Sequence, residues 1–171
     1  MRALVFGAGG QVGRALGAAT IPGWTVVGRD RDGADIRDSV AIAGAIARER
    51  PDLVINAAAY TDVDRAEAEP ELAVGVNAEG AGRVGAECAR AGVTLIHLSS
   101  DYVFDGSKAG AWRWDDPISP LGVYGRSKAE GEAAVRAALP HHVILRASWV
   151  FGAHGRNFVR AILGRIGKGD E

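Results

Sequence analysis

The chain has 171 residues, 47% of them hydrophobic, with 20 Lys and Arg against 21 Asp and Glu for a net charge of −1. That is enough chain for one substantial core, and it is too apolar for disorder. Charges of both signs are interleaved, so no like-charged block points to nucleic acid or an anionic membrane. No apolar run approaches the roughly 18–20 residues that cross a bilayer. The single cysteine, Cys88, excludes an intrachain disulfide, which suits a cytoplasmic setting, and it reads as a small buried apolar residue.

Ala3–Phe6 is short and continuously apolar, the pattern of a parallel strand buried on both faces. Glycines follow too soon for this run to be a secretory leader. Residues 11–19 read as a helix and 24–28 as a second strand. Asp38 is placed to cap a helix to about Arg50, which Pro51 ends. The third strand is expected over 52–57. Pro70 opens a long helix to Ala91, closed by Gly92. A fourth strand over 93–98, a helix over 123–138, a fifth strand over 142–147 and a helix over 157–166 complete the pass. The last residues, 167–171, resemble a turn into a further strand, as in a fragment or a short relative.

Strands and helices thus alternate at about 25–30 residues per unit, which implies a Rossmann-type, doubly wound parallel sheet in a three-layer α/β/α arrangement. The expected topology sets the first and fourth strands side by side. Their carboxyl ends would then bring Gly7 and Ser100 together in the crevice where strand order reverses.

Gly7, Gly10 and Gly13 fall between the first strand and the first helix. There, bare backbone amides and the positive end of a helix would hold a pyrophosphate. Beyond the second strand, Arg29 and Arg31 suit a 2′-phosphate, whereas a neighbouring acid would accept from a ribose hydroxyl. The cofactor is therefore NADPH or NADH. Asp35 and Ile36 lie where adenine would be held. The small residues of Asn56-Ala57-Ala58-Ala59-Tyr60-Thr61 leave room for a nicotinamide ribose. Asn77, among Ala, Gly and Val, needs hydrogen-bond partners if buried, in backbone or in a proton relay.

Ser100, Tyr124 and Lys128 suit carbonyl reduction. Hydride delivery builds charge on the carbonyl oxygen, which needs a hydrogen-bond donor and then a proton. Lys128 lies one helical turn from Tyr124 and is expected to lower the phenol's pKa. Ser100 supplies the second donor.

Six segments carry a family resemblance: Gly7–Gly13, Asn56–Glu67, Val76–Ala78, Leu98–Gly106, Tyr124–Glu132 and Arg146–Gly152. The chain resembles the dTDP-4-dehydrorhamnose reductase family of the extended short-chain dehydrogenase/reductase superfamily. The resemblance implies NADPH- or NADH-dependent reduction of the 4-keto group of dTDP-4-dehydro-L-rhamnose. It places Gly10, Gln11 and Val12 at the cofactor phosphates and Asp35 and Ile36 at adenine. Ala59, Tyr60, Thr61 and Leu98 lie along the rest of the cofactor. Tyr124 becomes the proton donor, Lys128 its partner, and Ser100, Asp101 and Trp149 the sugar contacts. Ser100 stands where the family has a catalytic threonine, and Ala15 where some members use a glutamate for Mg²⁺, so no metal site is expected. The family's C-terminal lobe has no counterpart in the sequence, so residues 1–171 are expected to form a single dinucleotide-binding domain. A homodimer is compatible with the resemblance. Two other readings stay open: a non-catalytic NAD(P)-binding regulatory protein, and an NAD-dependent nucleotide-sugar epimerase or dehydratase.

Overall fold

A computed structural model describes residues 1–152, 155 and 157–166; the expected turn at 167–171 lies outside them. Five parallel strands form the centre: β1 (Arg2–Phe6), β2 (Thr25–Arg29), β3 (Leu53–Asn56), β4 (Thr94–Ser100) and β5 (His142–Ala147). Their order is β2-β1-β3-β4-β5. This corrects the expected pairing of the first and fourth strands. Only β2 lies outside β1, and the chain then crosses directly to β3, which separates β1 from β4. The sheet is of Rossmann type, and its order reverses between β1 and β3.

Register fixes which residues are level. Phe6 pairs with Asn56, and Asn56 with His97. Gly7, Ala57 and Leu98 therefore lie side by side at the sheet's carboxyl edge. Strand β4 runs two residues further, with Ser100 paired to Ala147.

The helices are α1 (Gln11–Ala18), α2 (Ser39–Glu49), α3 (Val63–Ala68), α4 (Pro70–Val74), α5 (Ala81–Ala91), α6 (Val123–Ala138) and α7 (Phe158–Ile166). No helix among the described residues is long and apolar enough to cross a membrane. Caps set several ends. The Asp38 carboxylate accepts from the Val40 and Ala41 amides at the start of α2. Gly92 ends α5 at φ 66°, where a side chain would be strained. The expected helix over 70–91 is helical throughout, but its middle, Gly75–Gly80, is a π-turn between α4 and α5.

Alternation along the strands assigns the two faces. Leu4, Phe6, Val54 and Leu95 pack with Ile42, Val84, Cys88 and Val135 of α2, α5 and α6 into the main core. Cys88 is buried as expected, and its thiol is pushed up to about 12 by burial. Helix α1 takes the opposite face, over β1 and β2. A side-chain carbon on Gly28 would lie 2.5 Å from Ala8 Cβ, so glycine there lets the loop sit down on the sheet.

Candidate active site

The glycine loop follows β1 at the switch point. Gly7 has φ 80°, and a Cβ there would lie 2.5 Å from the Ala58 amide. A Cβ on Gly13 would lie 2.6 Å from Ala8 Cα. Helix α1 then opens with Gly10 as a bare cap and no acid in its first turn. Its first amides face outward with the positive end of the helix dipole behind them, a setting for an anion. Gln11 and Val12 continue along a cleft of about 250 Å³ shared with Val150 and Phe151.

On the other side of the loop, a cavity of about 160 Å³ is lined by Gly7, Gly10, Asp35, Ile36, Ala57 and Ala59, among others. Arg37 hydrogen-bonds Asp35 with its Nη2 at 2.6 Å, which holds the Asp35 carboxyl below the usual range. Arg31 and Arg37 are in this wall. Arg29 is placed differently from the sequence expectation: its guanidinium is paired with Glu49 and also bonds the Gly28 carbonyl.

The next stretch is tied down by Asn77, which is 1% exposed in the π-turn. Its Oδ1 accepts from the Tyr60 amide at 2.9 Å, and its Nδ2 donates to the Tyr60 carbonyl and to Ser127 Oγ, both at 3.0 Å. Ser127 in turn donates to the Tyr124 carbonyl at 2.8 Å. Asn77 thus binds backbone and ties the loop at Tyr60 to helix α6. Thr61 is exposed beside Tyr60. Helix α6 approaches the π-turn so closely that Gly131 faces the Asn77 carbonyl with no room for a side chain.

Tyr124 and Lys128 stand one turn apart on α6, over the end of β4. Tyr124 meets Tyr102 edge to face, with ring centroids 5.4 Å apart. It lines a cavity of about 590 Å³ with Asp101, Tyr102, Phe104, Trp112, Leu121 and Trp149, among others. Ser100 Oγ accepts from the Tyr102 amide and donates to Asp101, each at 3.2 Å; Asp101 also accepts from Ser148 at 2.6 Å. Trp149 is 73% exposed at φ 51°, a left-handed backbone unusual for a bulky residue, and packs edge-on against Phe158. Asp101, Tyr124 and Trp149 therefore line one cavity, and the buried Ser100 stands behind it, bonded to Asp101.

The electrostatics depart from expectation. Burial raises the Tyr124 pKa above that of an ordinary tyrosine; the Ser100 hydroxyl offsets part of the rise, and Asp101 and Tyr102 add to it. The expected lowering by Lys128 does not prevail: burial is the largest influence on the phenol, and the Lys128 ammonium donates to the Leu98 carbonyl at 2.7 Å. Burial pushes Lys128 down to about 8, against the pull of Glu132. Glu132 is fully buried, and burial alone would raise it. Bonds from Arg146 at 2.8 and 2.7 Å and from Arg136 at 2.9 Å prevail and hold it at about 2.

Beneath Lys128, Asn56 Oδ1 accepts from the Ala58 amide, so Asn56 Nδ2 donates to His97 Nδ1 at 3.2 Å. That places the imidazole proton on Nε2. Burial and the nearby Lys128 push His97 down to about 3, so it stays neutral.

Glu132, Arg146, Ser127 and Glu67, and the close-approach glycines Gly125 and Gly131, support this site without a motif that marks them. An acid and a serine flanking Lys128 on its own helix were the available signal.

Residues 1–171 match the family described as RmlD substrate binding domain. A dTDP-4-dehydrorhamnose reductase of Sinorhizobium fredii is 43% identical over 171 residues, which is 100% of this chain and 58% of that protein. One from Mycobacterium tuberculosis is 43% identical over 174 residues, 98% of this chain and 56% of the relative. The crystal structure of a Bacillus anthracis dTDP-4-dehydrorhamnose reductase in complex with NADP superposes with TM-score 0.95 at 34% identity. It covers 99% of this chain and 60% of that one. The chain thus spans little more than half the length of these relatives.

Proposed function

Because the chain belongs to the RmlD substrate binding domain family, we propose that it is the cofactor-binding and catalytic portion of a dTDP-4-dehydrorhamnose reductase. It would reduce the 4-keto group of dTDP-4-dehydro-L-rhamnose to dTDP-L-rhamnose with NADPH or NADH. The observation that carries this reading is the convergence of Ser100, Tyr124 and Lys128 at the carboxyl edge of the sheet. That edge also holds the glycine loop.

The residues present fit a dinucleotide. The bare start of α1 suits a pyrophosphate. Asp35, Ile36, Gly7, Ala57 and Ala59 enclose a cavity for an adenosine. Tyr60, Thr61 and Leu98 continue toward Tyr124. When bound, the nicotinamide supplies the hydride.

The chain supplies the proton and the polar setting. Tyr124, with a raised pKa, keeps its proton at neutral pH and is a loaded acid for the oxygen of the reduced carbonyl. Ser100 gives that oxygen a second hydrogen bond. Lys128 keeps positive charge one turn from the phenol, where it would favour the phenolate left after proton transfer. Asp101 accepts from sugar hydroxyls, and the exposed ring of Trp149 offers an apolar face to the sugar.

Tyr124→Phe tests the assignment. It should leave cofactor titration unchanged and lower kcat by about 10²-fold, the scale of a general acid. Near-normal turnover removes Tyr124 from the role. Parallel titrations with NADPH and NADH determine the cofactor.

A further inference from the structure

Helix α6 has Gly122 at its N-terminal cap position, with no side chain to cap it. A carboxylate from elsewhere takes that place. Glu67 Oε1, on α3, accepts from the Val123 amide at 2.7 Å, across 56 residues of sequence. Glycine leaves this carboxylate room: a Cβ on Gly122 would come within 2.8 Å of that same oxygen. Helix α3 is anchored by the fully buried Ala66, and its first residue, Val63, lines the cavity in front of Tyr124.

We infer that Glu67 is a positioning residue for Tyr124, acting by capping α6 from outside the helix. The two functional residues of α6 depend on the cap unequally. Tyr124 is the second residue of the helix, within the turn that frays when its amides lack partners. Lys128 lies a turn deeper, is 2% exposed, and is held by the Leu98 carbonyl. Loss of the cap therefore loosens the phenol and leaves the ammonium in place. A carboxylate against an N-terminal amide also sits well with the helix dipole.

This inference rests on Tyr124 being the proton donor, and its test keeps the two claims apart. In the 171-residue chain, Glu67→Ala lowers kcat about fivefold, the scale of one helix cap, while the Kd for NADPH stays within twofold. Glu67→Gln, which keeps an oxygen of the same reach, restores kcat. In amide exchange, Val123 loses protection in Glu67→Ala and keeps it in Glu67→Gln. Unchanged kcat in Glu67→Ala, equal loss in Glu67→Gln, or a parallel loss of NADPH affinity each overturns the inference. If the unsubstituted chain binds neither NADPH nor NADH, the reductase reading fails; binding without turnover confines that reading to cofactor binding. The positioning claim is then decided by Val123 exchange and by whether the Tyr124 ring resonances shift in Glu67→Ala and return in Glu67→Gln.

Discussion

The Lys128 ammonium and the Leu98 carbonyl oxygen lie 2.7 Å apart, joining the middle of α6 to the end of β4. The bond fixes the position of Lys128 but does not offset its burial, which leaves the group at about 8 instead of its ordinary 10.5. The unfolded chain therefore binds more protons between those values. The charge of Lys128 opposes folding below about pH 8, and the penalty fades as pH rises from there toward 10.5. Lys128→Met should abolish turnover yet raise Tm at pH 7, by about 2–4 °C per kcal/mol gained in a chain of this size. The gain should shrink at pH 10. Calorimetry at the two pH values checks this, and a lower Tm at pH 7 would show that Leu98 and Glu132 outweigh desolvation.

Glu132 has the opposite sign. Its carboxyl, ordinarily at 4.5, is held at about 2 by Arg146 and Arg136 despite full burial. The stability it contributes is complete above about 4.5 and is lost as pH falls through 2. Glu132→Gln leaves two guanidiniums facing a neutral amide, one of them half-buried, and should cost about 3–5 kcal/mol at pH 7. Urea unfolding at pH 7, 4 and 2.5 should show the gap between the two proteins narrowing with acid. A gap that stays constant would place the loss in packing and not in charge.

What was legible in the sequence was local. The apolar run of Ala3–Phe6, the Asp38 cap and the Gly92 stop each depend on a few neighbouring residues, and each is present as expected. The glycine loop was legible for the same reason. Helix α3 has six residues, too few to show a period, although Asp62 does cap it. The π-turn at Gly75–Gly80 follows from contacts that no helical pattern encodes: Asn77 reaches Tyr60 and Ser127, and Gly131 admits its carbonyl. Strand order escaped because alternation fixes which elements are strands, not which side of β1 each crossover takes. The pKa shifts of Tyr124 and Lys128 escaped because burial, not their spacing, dominates them.

Asn77 satisfies three buried or half-buried partners with one amide. Asn77→Ala strands the Tyr60 backbone groups and removes a donor to Ser127, which should cost about 2–3 kcal/mol. Because Tyr60 lies along the proposed cofactor path, NADPH affinity should fall with stability. Asn77→Asp keeps the acceptor for the Tyr60 amide but loses both donated bonds, so it should recover only part of either. Thermal unfolding and NADPH titration of both variants check this, and an Asn77→Ala protein of normal affinity would confine Asn77 to a structural role.

Two glycines on α1, one turn apart, should respond oppositely to the same substitution. A methyl on Gly13 would drive into the Gly7 carbonyl and lie 2.6 Å from Ala8 Cα, both backbone atoms of the loop that cannot move without opening it. A methyl on Gly17 meets nothing within 4 Å. Gly17→Ala should therefore stabilise the chain by about 0.5–1 kcal/mol through helix propensity and reduced freedom of the unfolded state. Gly13→Ala should destabilise it and abolish NADPH binding, since the clash falls where α1 presents its first amides. Urea unfolding and cofactor titration of the pair separate a local demand for close approach from a general tolerance of glycine in α1. Equal behaviour of the two variants would mean that the loop adapts and that its geometry is not what holds the phosphates.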